Sequence, residues 1–246
     1  MSYQPHLHVF TDGPAVARGF AEHLVQRLAE HPAGPFFWAL SGGSTPKLLF
    51  SLLAKEYRER IDWQRIHFFW GDERCVPHDH PESNYGEVRK LLFDHVPVVA
   101  DQVHAVDTSL EPAAAAAAYA ELMQRLLPSN TDGLPSLDLN MLGMGEDGHT
   151  ASIFPHNMAE LMASPAICAV ATHPSSGQLR VTMTGPVLNA SAEVVFLITG
   201  NSKTQRVAQI LHREPHAETF PVAHIQPGSG RLHWFLDGAA AAEVGY

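Results

Sequence analysis

The chain has 246 residues, 45% of them hydrophobic, with a formal charge of −10 and a sequence pI near 5.8. That is enough chain to bury a substantial core, and the acidic balance argues against nucleic acid or anionic membrane as a partner. No apolar run approaches the roughly 20 residues needed to span a bilayer. The two cysteines, Cys75 and Cys168, form no CxxC pair, which suits a reducing compartment. No basic region followed by an apolar stretch opens the sequence, so no signal peptide is expected and a cytoplasmic location is.

Short apolar runs alternate with helical-period segments along the chain. Residues 6–10 read as a strand and 16–28 as an amphipathic helix. Residues 36–40 form the next strand, followed by a helix over 47–57, then a strand at 66–70 and a helix over 85–93. A short strand is expected at 103–106. The alanine-rich run 113–127 predicts a helix from intrinsic propensity, with Pro112 in its first turn. Further strands are expected at 137–142, 167–171, 180–184 and 194–199, then a helix over 203–211 and a closing strand at 232–236. Strands alternating with helices imply right-handed βαβ units. The expected fold is α/β and Rossmann-like: one domain, with a mainly parallel twisted sheet and helices on both faces.

Three segments lie where strands should end, and in an open parallel sheet ligands bind beyond the carboxyl ends of the strands. The run Leu142-Gly143-Met144-Gly145-Glu146-Asp147-Gly148-His149-Thr150-Ala151-Ser152 places an acid and an imidazole two residues apart beside glycines that let backbone approach a ligand. Ser41-Gly42-Gly43-Ser44-Thr45-Pro46 is a glycine-rich turn entering a helix, an anion site built from free N–H groups and hydroxyls. It is neither GxxxxGK[ST] nor GxGxxG, so no nucleotide is implied. Trp70-Gly71-Asp72-Glu73-Arg74-Cys75 follows the third strand. Arg74 can pair with Asp72 or Glu73 and still face a ligand; Asp72 can hold loop backbone or line the substrate site. Cys75 reads as a small residue at a strand end. Arg180 and Lys203 stand out as cations in an acidic chain, and a cation at a helix start is locally unfavourable unless an anion sits between. The run His78-Asp79-His80 lacks matching ligands elsewhere and reads as a polar loop; HExxH is absent, and neither a metal nor a cofactor is expected.

These segments, with Ser83-Asn84-Tyr85, Arg180-Val181-Thr182-Met183-Thr184, Gly200-Asn201-Ser202-Lys203 and the segment 230–237 containing Trp234, occur in an order that resembles the 6-phosphogluconolactonase family from about residue 40 onward. The resemblance implies a phosphorylated sugar lactone as substrate, held through its phosphate by Ser41, Gly42, Gly43, Ser44 and Thr45 with Arg180 and Lys203. His149 would then activate water near neutral pH, as imidazoles do, with Asp147 orienting it. Backbone N–H groups of residues 143–148 and Arg74 would stabilise the oxyanion. A monomer or homodimer is expected. The related aldose–ketose isomerases and deaminases of glucosamine 6-phosphate are the alternative. They carry a glutamate after the Asp-Gly-His segment, where this chain has Phe154.

Overall fold

The computed structural model describes residues 5–245 and has at its centre a six-stranded, all-parallel sheet. Its strands are β1 (His6–Phe10), β2 (Phe36–Leu40), β3 (Ile66–Trp70), β5 (Leu139–Leu142), β8 (Val194–Ile198) and β9 (Leu232–Asp237), in the order β1-β9-β8-β5-β2-β3. The last strand therefore does not close the sheet at an edge; β9 is inserted between β1 and β8. Side chains alternate across each strand, so consecutive apolar residues bury on opposite faces. Trp38, Phe68, Met141, Leu197 and Phe235 join one core with Phe20 and Leu24 of α1 (Gly13–Glu30) and Leu49, Phe50 and Leu53 of α2 (Ser44–Glu56). Ala39, Phe69, Leu142, Phe196 and Trp234 join the other, with Tyr119 and Met123 of α4 (Pro112–Leu126) and Val207 and Ile210 of α7 (Thr204–Leu211). The continuous apolar runs of the sequence are what a sheet covered on both faces requires. Among the described residues, no helix is long and apolar enough to cross a membrane.

The second sheet is the main departure from expectation. Immediately after Gly71, residues Asp72–Arg74 form a short strand, β4, that pairs antiparallel with β7 (Leu179–Met183), which in turn pairs antiparallel with β6 (Cys168–Thr172). Two expected strands, 167–171 and 180–184, thus belong here, each shifted by one residue. The chain passes from the edge of the parallel sheet into this ribbon with only Gly71 between, its N–H donated to Leu40 O at 3.0 Å and its carbonyl accepting from Met183 N–H at 2.8 Å. Two short helices, α5 (Met158–Met162) and α6 (Gly185–Asn189), were also not anticipated.

The helix expected over 85–93 is α3 (Asn84–Leu91); Ser83 caps it by accepting from Gly86 N–H at 3.0 Å. The strand expected at 103–106 reduces to a single bridge, Val103 opposite Phe68, after a 3₁₀ turn at Ala100–Gln102. What secures this segment is local. His104 donates its backbone N–H to Phe68 O at 2.9 Å, its Nε2 lies 3.0 Å from His67 Nδ1, and the two imidazoles stack 8° from parallel.

Burial, with His67 and Arg125 nearby and Asp101 opposing them, pushes the His104 pKa down to about 4. Unfolded, His104 would protonate near 6.5. Its contribution to stability is therefore complete above pH 6.5 and is lost as the pH falls through about 4, because the unfolded state binds the proton first. Urea midpoints measured between pH 7 and pH 4 should fall more steeply for the wild type than for His104→Gln, by up to about one proton in the linkage slope. Identical slopes would show that His104 is not buried in its neutral form.

Candidate active site

A cleft of about 240 Å³ opens at the carboxyl ends of β2, β3, β5 and β8, lined by Ser41 to Pro46, Asp72, Arg74, Asn84, Gly143 to Gly145, His149, Ala151, Arg180, Thr199 and Lys203. Ser41 to Thr45, Asp72, Arg74, His149, Arg180 and Lys203, all expected to hold or act on a ligand, line it; Asp147 does not, but is hydrogen-bonded to His149, which does. A larger surface hollow of about 600 Å³ between α2 and α3, lined by Lys55, Arg58, Lys90 and Asp94 among others, contains none of the strand-end motifs.

The glycine-rich turn enters α2 through Gly43, whose φ of 125° is a conformation that L side chains rarely adopt. No side chain caps this helix, and its first internal bond is Lys47 N–H to Gly43 O at 3.2 Å, so the Ser44 and Thr45 amides face the cleft mouth unspent by the helix. The helix begins three residues earlier than expected, which places Pro46, lacking an N–H, within the first turn. The hydroxyls contribute less than expected: Thr45 Oγ1 is bonded to Thr199 Oγ1 at 2.7 Å, and Ser41 Oγ donates to Gly42 O at 3.3 Å.

Arg74 and Arg180 stand directly opposite each other in the β4–β7 register. Asp72, buried, lies with Oδ2 3.8 Å from Arg180 Nη1 and accepts from Ser152 Oγ at 2.7 Å. The expected pairing of Arg74 with Asp72 or Glu73 is not what forms. Arg74 Nη1 donates to Glu82 O at 2.5 Å. Glu73 is instead turned under α3, accepting from the backbone N–H groups of Asn84 at 2.8 Å and Tyr85 at 2.7 Å. Burial pushes the Glu73 carboxyl up, although these N–H donors oppose it. The Cys75 thiol is pushed up by burial and by Glu73, which keeps it a poor nucleophile.

Lys203 lies in a 3₁₀ turn, Asn201–Lys203, just ahead of α7 rather than within it. Asp237, at the end of β9, holds that turn by accepting from Gly200 N–H at 3.0 Å. Burial pushes the Lys203 ammonium down from its ordinary pKa, while Glu146 and Asp147 partly offset this. Arg180 is also lowered by burial, with Asp72 opposing. Two half-buried cations thus lie beside a helix N-terminus. Such an arrangement favours an anion.

His149 Nδ1 lies 2.6 Å from Asp147 Oδ1, which also accepts the His149 backbone N–H at 3.1 Å. Burial opposes ionisation of Asp147, but the His149 hydrogen bond and charge outweigh it and hold the carboxyl at about 2. An ionised carboxylate only accepts, so the proton sits on Nδ1 and Nε2 is left with its lone pair. Phe154, fully buried, has its ring centroid 4.7 Å from that of the imidazole, tilted 46° to it, and lies 5.8 Å from the Arg180 guanidinium. Not all of the expected loop donors are free: Gly145 N–H is spent on His149 O at 2.9 Å and Gly148 N–H on Gly145 O at 3.1 Å. Ala151, at φ 47°, is a strained non-glycine residue lining the cleft. The sequence alone assigns no role to Ser152, Thr199 or Asp237. Each is a short polar residue whose role arises only through a partner distant in the chain.

A Cβ on Gly145 would come within 2.0 Å of His149 Nδ1 and 2.6 Å of Asp147 Oδ1, whereas one on Gly143 would meet nothing within 4 Å. Gly145→Ala should therefore abolish the downfield NMR resonance of the Nδ1–H shared with Asp147, and Gly143→Ala should preserve it. Survival of that resonance in Gly145→Ala would contradict the geometry.

Residues 11–234 match the family described as glucosamine-6-phosphate isomerases/6-phosphogluconolactonase. The 6-phosphogluconolactonase of Haemophilus influenzae is 39% identical over 227 residues, covering 89% of this chain and 95% of that one. The solved structure of 6-phosphogluconolactonase from Trypanosoma brucei superposes with a TM-score of 0.86 at 29% identity, covering 99% of this chain and 100% of that one. A monomeric glucosamine-6-phosphate deaminase shares the fold at a TM-score of 0.81 and 19% identity, covering 97% of this chain and 99% of that one. The order of the strand-end motifs, the cleft they build and these likenesses agree, and the chain belongs to the glucosamine-6-phosphate isomerase/6-phosphogluconolactonase family.

Proposed function

We propose that the chain hydrolyses 6-phospho-D-glucono-1,5-lactone to 6-phosphogluconate, a step of the oxidative pentose phosphate pathway, with His149 as general base. The observation that carries this reading is the His149 Nδ1–Asp147 Oδ1 bond at 2.6 Å, which leaves Nε2 as a base in the same cleft as an anion site. The substrate phosphate sits at the Ser44 and Thr45 amides, between Arg180 and Lys203, with Gly42 and Gly43 allowing close approach and Ser41 at the rim. Asp72 holds Arg180 toward it.

The remote phosphate fixes the sugar so that the lactone carbonyl lies near His149. Nε2 takes a proton from water as its oxygen bonds to the carbonyl carbon. Charge then collects on the carbonyl oxygen, where Arg74 stabilises it; such donors contribute a few kcal/mol. As the ring C–O bond breaks, the imidazolium returns the proton to the ring oxygen, and the free acid loses its own proton to solvent. The ionised Asp147 stabilises the imidazolium between the two transfers. Isomerase or deaminase chemistry is less well supported, since the apolar Phe154 ring occupies the place beside His149 where those relatives offer a carboxylate.

Two variants test the reading in one experiment. His149→Ala should lower kcat by roughly 10²–10⁴-fold with KM within a few-fold, after subtraction of spontaneous ring opening. Lys203→Ala should chiefly raise KM for the phosphorylated lactone and spare turnover of unphosphorylated gluconolactone. Near-wild-type turnover in folded His149→Ala would remove it from the mechanism. Equal losses on both lactones would remove Lys203 from phosphate recognition, and ammonia release from glucosamine 6-phosphate would favour the alternative.

A further inference from the structure

At the amino ends of β8 and β9, opposite the cleft, lies a second cluster that the lactone chemistry does not use. Glu193, the residue before β8, is 1% exposed. Its Oε1 is hydrogen-bonded to His23 Nε2 from α1 and lies 3.8 Å from His233 Nε2 of β9. Its other oxygen, Oε2, lies 2.7 Å from Arg27 Nε. The three donor atoms lie within 4.8 Å of one another. One carboxylate oxygen thus faces the Nε2 atoms of two imidazoles contributed by separate elements. These positions, 23, 193 and 233, have no sequence spacing that would announce a metal site, which is why none was expected.

We propose that His23 Nε2, His233 Nε2 and Glu193 Oε1 bind one divalent transition-metal ion of the zinc class, with water completing the coordination. Two neutral imidazoles and one carboxylate form a donor set suited to Zn²⁺ and its neighbours rather than to calcium or magnesium. The surroundings supply what such ligands need. His8 Nε2 lies 3.0 Å from His233 Nδ1, so it can accept the proton there and leave His233 Nε2 free to coordinate. Arg27 occupies Glu193 Oε2, which leaves Oε1 as a monodentate ligand. Tetrahedral Zn–N and Zn–O bonds of roughly 2.0–2.2 Å require donors a little over 3 Å apart. The ion therefore displaces the proton shared by His23 and Glu193 and spreads that pair, while drawing in His233. The His23 and His233 side chains retain 14% and 16% exposure, which gives the ion a path in. The site would clamp α1 to the amino ends of β8 and β9, and it makes no contact with His149.

Chelator-stripped protein equilibrated with Zn²⁺ by dialysis, with the metal quantified by elemental analysis, tests this directly. One equivalent per chain is expected, as is a ligand-field spectrum of four- or five-coordinate metal when Co²⁺ is substituted. His23→Ala and His233→Ala should each lose that equivalent, His8→Ala should weaken binding by about 10–100-fold, and His149→Ala should retain it. Circular dichroism establishes that each variant is folded. Because the wild-type stoichiometry decides alone, absence of a bound equivalent overturns the proposal even if a variant fails to fold. Binding that survives both His23→Ala and His233→Ala, or that disappears in His149→Ala, overturns it as well.

Discussion

Like charges directly opposite across an antiparallel pair repel, yet the β4–β7 register puts Arg74 opposite Arg180. The arrangement persists because the buried Asp72 carboxylate lies on the same short strand and faces Arg180, and because Gly71 lets the chain leave the parallel sheet for the ribbon with no intervening loop. Without that turn, Arg180 would have no reason to lie at the carboxyl ends of the parallel strands. The proposed anion site is thus a consequence of joining two sheets of opposite character. Arg180 is fixed by a backbone ladder and Lys203 by a turn tied to Asp237, so little ordering remains to be done when a ligand arrives.

Two of the cations in the cleft, Arg180 and Lys203, are each supported by a buried acid. Asp72 is occupied by Arg180 and Ser152, Glu73 by the first amides of α3, and Asp237 by the Gly200 turn that presents Lys203. Asp72 and Asp237 together place positive charge locally in a chain of net charge −10. Asp147 does the corresponding work for the imidazole, and its proximity in sequence makes that pair rigid. Gly145 lies so close beneath the pair that a methyl group there would collide with both members.

The parallel sheet was legible because its strands are continuous apolar runs with helical segments between them. The strand-end motifs were legible because glycine, acid, imidazole and hydroxyl residues cluster within a few positions. The ribbon was not, since Asp72–Arg74 is three charged residues with no period to read, and its pairing depends on a segment a hundred residues away. A similar distance hid Thr199, the partner of Thr45, whereas Arg74 and Glu73 find theirs nearby, on backbone groups of Glu82, Asn84 and Tyr85 that carry no side-chain signature. The strand expected at 103–106 failed for the opposite reason: its apolar residues are real, but its hold on β3 is one bridge and a histidine stack rather than a ladder. The His23–Glu193–His233 cluster draws on three elements and has no local signature.

The central claim is that the substrate lies with its phosphate at the start of α2 and its reacting carbon at His149. A crystal structure with 6-phosphogluconate bound measures that orientation. The account predicts the phosphate on the Ser44 and Thr45 amides between Arg180 and Lys203, and the C1 carboxylate within about 2.6–3.2 Å of His149 Nε2. A ligand bound in the reverse orientation, with its phosphate against His149 and its carboxylate at α2, would contradict it.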